Sequence, residues 1–533
     1  MKESTIHRRR ERLRKITGGL GLGGAYGATI ERIKAQGGDR PRLAIAALMW
    51  ICYAERPLMV DELCHALAIE LSSTDLNPDN IPSITALVGC CQGLITVDKE
   101  ASTVRLIHYT LQEYLSTTPY IFTRPHSAMA EICLTYLNFD QVKAIPSDYS
   151  PDILKLPFLK YSSLYWGVHA KRELSDHGRS LALQLLQECG NHISIKSLLE
   201  DLFLGLRGRV MDMLFSGLHW ASFFGVVELV AVLIEIGPHD TDGRDFSGRT
   251  PLAWAAQNGH QEVVKILLKR GEVDPNKADR FATTPLHHAI FWGHEGVVKV
   301  LLGWEEVSPC QASELGRTPL SIAAECGHEG VVKMLIGRQE VNPHEPDDTG
   351  TTPFAYAAQR GHKEVVKMLL AHQEVDPDNP DTWDATLLWH AAACDEEIAK
   401  ILLRREDADP NKVDHNGRTL LSYAASNGHE GVVRILLGHK EVNPNMPDKY
   451  GDTPLYHAAS NRRVGIVKML LERKDVNPDQ PNRWGETPLM HAADFGLQEV
   501  VEILLRRKEV NPTSQIRTAQ HRPCTQWRVS TRK

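Results

Sequence analysis

The tripeptide Thr250-Pro251-Leu252 returns as Thr284-Pro285-Leu286, Thr318-Pro319-Leu320, Thr352-Pro353-Phe354, Thr453-Pro454-Leu455 and Thr487-Pro488-Leu489. Weaker copies stand at Thr386-Leu387-Leu388 and Thr419-Leu420-Leu421, and Ser216-Gly217-Leu218 begins one more. The step is 34 residues throughout, except for 33 between Thr386 and Thr419. A fixed period of this length marks a stacked repeat, in which each unit buries its apolar face only against its neighbours. At 533 residues the chain is also too long for a single hydrophobic core.

Each copy reads as two helices and a turn. Threonine caps the first helix, and proline fills its first turn, where a missing N–H costs nothing. Small pairs such as Ala255-Ala256 and Ala323-Ala324 let a neighbouring helix approach closely. Gly259, Gly293, Gly327, Gly361 and Gly428 end that helix. A second helix follows, as in Gln261 to Arg270, with Val263, Val264, Ile266, Leu267 and Leu268 forming its apolar face. The run from Asp245 through Thr250-Pro251-Leu252 to Leu267-Leu268 closely resembles the ankyrin repeat, D-x-x-G-x-T-P-L-x-x-A-A-x-x-G-H-x-x-V-V-x-x-L-L. The resemblance covers residues 206–512 and implies a mostly α solenoid of about nine repeats. Three departures stand out. One residue is lost around Ala393-Cys394-Asp395, which gives the short step; Asp384 and Ala282 replace turn glycines, so less regular units are expected there. No polar terminal cap is evident after Val510-Asn511-Pro512, so exposed apolar surface or truncation of a longer array is expected there.

The repeat also produces decoys. His260, His294, His328, His362 and His429 recur after the turn glycine, and three of them open an H-E pair. No second histidine completes H-E-x-x-H, so no metal site is expected. Another column runs Trp220, Trp254, His288, Ile322, Tyr356, His390, Tyr423, His457 and His491. Packing between neighbouring repeats accounts for it; a stacked histidine ladder sensing pH is the sharper alternative. No G-x-S-x-G is present, and no catalytic residues or cofactor are expected.

In an ankyrin-like solenoid a protein partner is expected on the concave face lined by turn tips and first helices. The residue before the turn glycine runs Ser247, Phe281, Leu315, Thr349, Trp383, Asn416, Tyr450 and Trp484. Five of these eight are large and apolar, the class enriched at interface hot spots. Phe281, Leu315, Trp383, Tyr450 and Trp484 are therefore candidate contacts, with Phe223, Phe224, Phe291, Trp292 and Phe495 from the first helices. Packing of one fingertip against the next is the alternative.

Residues 40–125 read differently. An apolar helix from Leu43 to Ala54, an amphipathic helix after Pro57, a helix from Ile84 to Cys91, two strands around a polar turn at Asp98 to Ser102 and a closing helix give the order of a winged helix. Residues 41–120 hold four basic and nine acidic residues, and the helix from Ile84 to Cys91 has no charge. Phosphate contacts dominate nucleic-acid affinity, so DNA is not the expected partner. The stretches "WICYAERPLMVDELCHALAIE", "DNIPSITALVGCCQGLITVD" and "RLIHYTLQEYL" resemble the segment after the nucleotide-binding module of fungal NACHT–ankyrin proteins, which belong to the STAND class of signalling ATPases. Tyr165-Trp166-Gly167-Val168-His169-Ala170 resembles the helical segment that links winged helix to repeats there, which places a connector at 126–205. The resemblance implies a winged helix that packs on the ATPase module and an ankyrin sensor. It also implies that His108 could face a bound nucleotide. No G-x-x-x-x-G-K-[ST] is present, so His108 would sense nucleotide only if an ATPase module were supplied in trans. The alternative is a plain interface histidine.

Gly19-Leu20-Gly21-Leu22-Gly23-Gly24 matches the spacing of a phosphate-binding loop, but a charged run precedes it and no βαβ unit follows. Residues 1–39 are expected to be a basic segment with a flexible glycine linker, and 513–533 a basic, disordered tail. Net charge is −7, with +6 on residues 1–40 and +5 on 513–533, so the remainder carries −18. The start "RRRERLRK" fits either a nuclear signal or a solvated helix face. Ten scattered cysteines form no C-x-x-C, and Cys90-Cys91 reads as packed thiols. The longest apolar run, Leu43 to Ala54, is shorter than the ~20 residues of a membrane span. The expectation is a non-enzymatic protein-interaction scaffold or sensor, cytoplasmic or nuclear. The sensor half of a NACHT-type ATPase, in trans or truncated, is the alternative, and a DNA-binding regulator the more remote one.

Overall fold

The computed structural model describes residues 22–71, 73–145, 156–187, 192, 215–236, 240–371, 396–403 and 409–510. The chain divides into two compact units, Met1–Arg280 and Phe281–Lys533.

The first unit opens with helix α1 (Leu22–Lys34), followed by α2 (Arg40–Tyr53), α3 (Val60–Ala68) and α4 (Ile84–Cys90). Strands β1 (Ile95–Asp98) and β2 (Thr103–Leu106) then form an antiparallel hairpin before α5 (Tyr109–Ser116). The hairpin turn is held by Asp98, whose Oδ1 accepts from the backbone N–H groups of Glu100 and Ala101. The Leu58–Val60 segment extends the hairpin: Val104 N–H donates to Leu58 O and Val60 N–H to Ser102 O. Leu48, Trp50, Leu63, Leu87, Ile95, Val104 and Leu111 fill the core. Cys90 and Cys91 are buried, and burial pushes both thiols up.

The glycine stretch differs from a flexible linker in its second half. Gly23, Gly24 and Gly27 lie inside α1. A Cβ on Gly27 would stand 3.0 Å from the Tyr114 hydroxyl, and one on Gly23 3.5 Å from the Tyr114 ring. Tyr26 and Thr110 share a hydroxyl–hydroxyl hydrogen bond of 2.9 Å. The glycines let α1 lie close to α5, and burial of Ile30 and Ile33 compensates their weak helix propensity. Gly19 and Gly21 lie outside the described residues.

Four helices follow: α6 (Pro125–Leu137), α7 (Asp140–Lys143), α8 (Leu159–Arg172) and α9 (Asp176–Gln187). Trp50 of α2 meets Phe158 and Tyr161 edge-on at 5.5 and 5.6 Å. Beside this cluster runs a chain of polar groups whose middle members, Tyr161 and His169, are buried. Glu55 N–H donates to Tyr161 Oη at 3.2 Å, Tyr161 Oη lies 3.0 Å from His169 Nε2, and His169 Nδ1 lies 2.9 Å from His126 Nδ1. In one of the two neutral tautomers of His169, Tyr161, which accepts in the first link, donates its own proton to Nε2. His169 then carries its own proton on Nδ1 and donates to His126. Burial, reinforced by the His126 and Arg172 charges, pushes His169 down to about 3. Arg172 pairs with Glu55 across the same joint.

The first repeat helix, Gly217–Phe224, lies against α8. Phe224 meets Trp166 at 5.1 Å and is 4 % exposed, so it belongs to the core and is withdrawn from the surface candidates. Phe223 is half-buried, edge-on to Trp254 at 5.5 Å. Helices Val227–Ile236, Pro251–Gln257 and Gln261–Leu268 complete the repeats of this unit.

The second unit repeats the theme, with first helices at Pro285–Phe291, Pro319–Cys326, Pro353–Arg360, Leu420–Asn427, Pro454–Ser460 and Pro488–Asp494. Second helices run Glu295–Leu302, Glu329–Ile336, Lys363–Leu370, Glu396–Leu403, Glu430–Gly438, Val464–Glu472 and Gln498–Leu505. The threonine caps form as the sequence predicts: Thr318 Oγ1 accepts from Ser321 N–H and Thr453 Oγ1 from Tyr456 N–H, each at 3.2 Å. Asp384 and Ala393-Cys394-Asp395 lie outside the described residues. Ala282 takes the left-handed conformation of the glycine it replaces (φ 55°), so the turn is kept there at a conformational cost instead of becoming irregular.

Candidate protein-binding surface of the repeats

Several fingers are organised by one buried acid, and the Trp484 finger by Asn482 in the same place. In the Asp245 finger, Oδ1 accepts from the backbone N–H groups of Ser247 (2.8 Å) and Arg249 (2.9 Å), closing the turn. Oδ2 accepts from Trp254 Nε1 at 2.8 Å, nine residues on. The pattern recurs. Asp347 takes N–H bonds from Thr349 and Thr351 and a hydroxyl bond from Tyr356. Asp448 takes N–H bonds from Tyr450 and Asp452, and lies 3.0 Å from His457 Nε2. At these three fingers the column read from the sequence as packing has a second duty: Trp254, Tyr356 and His457 each aim a polar atom at the turn carboxylate. Asp347 shows the balance, since burial pushes it up but the bonds from Thr349, Tyr356 and Thr351 hold it below the usual carboxylate range.

Two of the histidines after the turn glycines also have local partners. His260 Nε2 lies 2.8 Å from Phe223 O and His362 Nε2 2.9 Å from Glu325 O, so each ties one turn to the preceding one. In the 463 position an arginine takes this role, its Nε donating to Ser426 O.

Asp448, Asp452 and His457 could supply three metal-ligand atoms, all within 4.8 Å of one another. Their acceptors are engaged: Asp448 as above, and Asp452 Oδ1 by Asn482 Nδ2 at 2.9 Å. Burial, with the Asp448 charge adding to it, pushes the Asp452 carboxyl up. The same wiring at Asp245 and Asp347 uses Trp254 and Tyr356, which are not metal ligands in such a set. The cluster is the finger scaffold in its histidine form.

With each finger fixed from below, its tip points outward. Phe281 and Leu315 are each 62 % exposed, Trp484 60 % and Tyr450 45 %. Phe291, Trp292 and Phe495 are also exposed. Phe291 and Trp292 meet edge-on at 5.7 Å. Tyr450 and Trp484 stack with an interplanar angle of 11° and centroids 6.0 Å apart. Trp383 lies outside the described residues. Adjacent fingertips are joined by backbone bonds: Glu314 N–H to Phe281 O, Asp348 N–H to Leu315 O, Lys449 N–H to Asn416 O and Arg483 N–H to Tyr450 O. The tips are thus held in register, with rings exposed on a stiff support. Lys449 and Arg483 join these candidates through the structure alone. Both stand immediately before a fingertip ring, and Arg483 lies over Tyr450 and Trp484 at 5.7 and 5.1 Å.

In the first unit His108 is exposed and caps α5, its Nδ1 accepting from Thr110 N–H. Ile107, Tyr109 and Tyr120 are exposed large side chains of the same region. No helix among the described residues is long and apolar enough to cross a membrane.

The family model of a winged-helix domain, described from GPI inositol-deacylase, matches residues 31–120. No curated protein matches the chain. The model for ankyrin repeats matches residues 218–311, 305–381, 387–482 and 439–516. Those stretches span more than half of the 533 residues, and the chain belongs to the ankyrin-repeat family.

Proposed function

We propose that the chain is a non-enzymatic scaffold or sensor whose nine repeats, at 206–512, capture a protein partner on their fingertip and first-helix surface. The observation that carries this is the row of exposed tips, Phe281, Leu315, Tyr450 and Trp484, held in register by backbone bonds between fingers. Preorganised aromatic side chains lose little entropy on binding and suit hot spots. The residues 40–125 and 126–205 act in this view as a winged-helix packing module and its connector. Trp484→Ala with Phe281→Ala is tested in the full chain by affinity capture from cells, alongside thermal unfolding. Capture falls severalfold while the melting temperature holds within a few degrees. A large drop in melting temperature would mean that the rings are structural.

A second reading has its own observation: Ile107 and Tyr109 are exposed beside His108 at the start of α5, and Tyr120 is exposed past the end of that helix. That surface fits a module docked in trans, such as a NACHT-type ATPase. Co-purification of an ATP-binding protein, lost on Tyr109→Ser with Tyr120→Ser, would support it, and unchanged recovery would count against it.

A further inference from the structure

The charge beside the fingertips of the second unit changes sign along the row. Of the residues immediately before a tip, Arg280 precedes Phe281 and His415 precedes Asn416; four others are Glu314 at Leu315, Asp348 at Thr349, Lys449 at Tyr450 and Arg483 at Trp484. All four are exposed. Among the described residues no carboxylate pairs with Lys449 or Arg483. The acids nearest them in sequence are already engaged: Asp448 closes its own turn, Asp452 holds Asn482 and Glu486 takes the Tyr456 hydroxyl at 2.9 Å. Two cations without counter-charges therefore flank a stacked aromatic pair, on a backbone ladder that fixes their spacing.

We propose that the Lys449–Tyr450–Arg483–Trp484 surface binds an acidic peptide segment of the partner that carries an aromatic or other flat apolar side chain. The inference rests on the protein-capture reading above and names the chemistry of what is captured. Carboxylates of such a segment would meet Lys449 and the Arg483 guanidinium, whose planar fork suits a carboxylate. Its apolar group would extend the Tyr450–Trp484 stack. Glu314 and Asp348 add discrimination, because an acidic segment displaced toward them meets like charge. A single strand of nucleic acid also favours cations and aromatic faces, but its phosphates recur at every nucleotide, and this row offers carboxylates at two fingers. The acidic peptide is therefore the occupant the charges favour.

The test uses the full chain and three labelled peptides of one length, each with a single tryptophan, whose other residues are glutamate and serine, lysine and serine, or serine and glycine. Fluorescence anisotropy is measured at low and moderate salt, with a labelled oligothymidine as a fourth probe. The glutamate peptide binds best, and added salt weakens it. Lys449→Glu with Arg483→Glu lowers its affinity roughly tenfold or more, with far-ultraviolet dichroism unchanged. Trp484→Ala, at an exposed ring, weakens it independently of charge. Equal or tighter binding of the lysine peptide or of oligothymidine would overturn the proposal. So would glutamate-peptide binding that survives the double reversal; if that binding were instead lost on Phe281→Ala with Leu315→Ala, array capture would stand and only this site would fall. Failure of every peptide to bind counts against both readings.

Discussion

At the scale of single residues, the sharpest consequence concerns His169. Its folded-state pKa lies near 3, against an ordinary value of about 6.5 in the unfolded chain. The unfolded state therefore binds a proton that the folded state refuses at intermediate pH. The stability tied to a neutral His169 is complete above about pH 6.5 and is lost progressively as pH falls toward 3, by about 1.4 kcal/mol per pH unit well inside that window. Urea unfolding of the first unit between pH 7 and 5 is expected to weaken more steeply in the wild type than in His169→Gln, whose amide does not titrate. Equal slopes would show that this imidazole is not the acid-sensitive group. None of this was legible in the sequence, where His169 was part of a family-like string. Its burial comes from Tyr161 on the same helix and from His126 and Glu55 elsewhere in the chain.

At the scale of elements, glycine and aspartate carry more information than the apolar residues. A Cβ on Gly167 of α8 would stand 2.1 Å from Cγ of the Phe224 ring. Gly167→Ala is therefore expected to force α8 and the first repeat helix apart, at a cost of about 1–3 kcal/mol. Its readouts are a lower urea midpoint and altered near-ultraviolet dichroism from Trp166 and Trp220, which meet edge-on at 5.5 Å. An unchanged midpoint would mean that the ring moves aside freely. The helix starts, the glycine ends and the order of the winged helix were all readable, because caps and periodicity are local. The link between Asp245 and Trp254, Asp347 and Tyr356, or Asp448 and His457 was printed nine residues apart in every one of these copies. It went unread because chemically different side chains share the role. Phe224 was misread for a related reason: its place late in a first helix suggested a surface, and α8 covers it.

At the scale of the whole molecule, each unit has its own core, so unfolding is not expected to be all-or-none. Trp50, Trp166, Trp220 and Trp254 are fully buried in the first unit, whereas among the described tryptophans of the second Trp292 and Trp484 are exposed and Trp304 is half-buried. With Trp292, Trp304, Trp383, Trp389, Trp484 and Trp527 replaced by phenylalanine, tryptophan fluorescence follows the first unit alone in a denaturant titration, and far-ultraviolet dichroism follows both. The two midpoints are expected to differ, and coincident transitions would show that the units unfold as one. The sequence by itself determined the helical repeat, its phase and its caps, because those depend on side chains meeting their own backbone within a few residues. Tertiary structure alone decided which aromatic rings are buried, which carboxylates are spent inside the fingers, and which cations are left facing outward. Exposure and charge compensation are set by neighbours distant in the chain, and no local period encodes them.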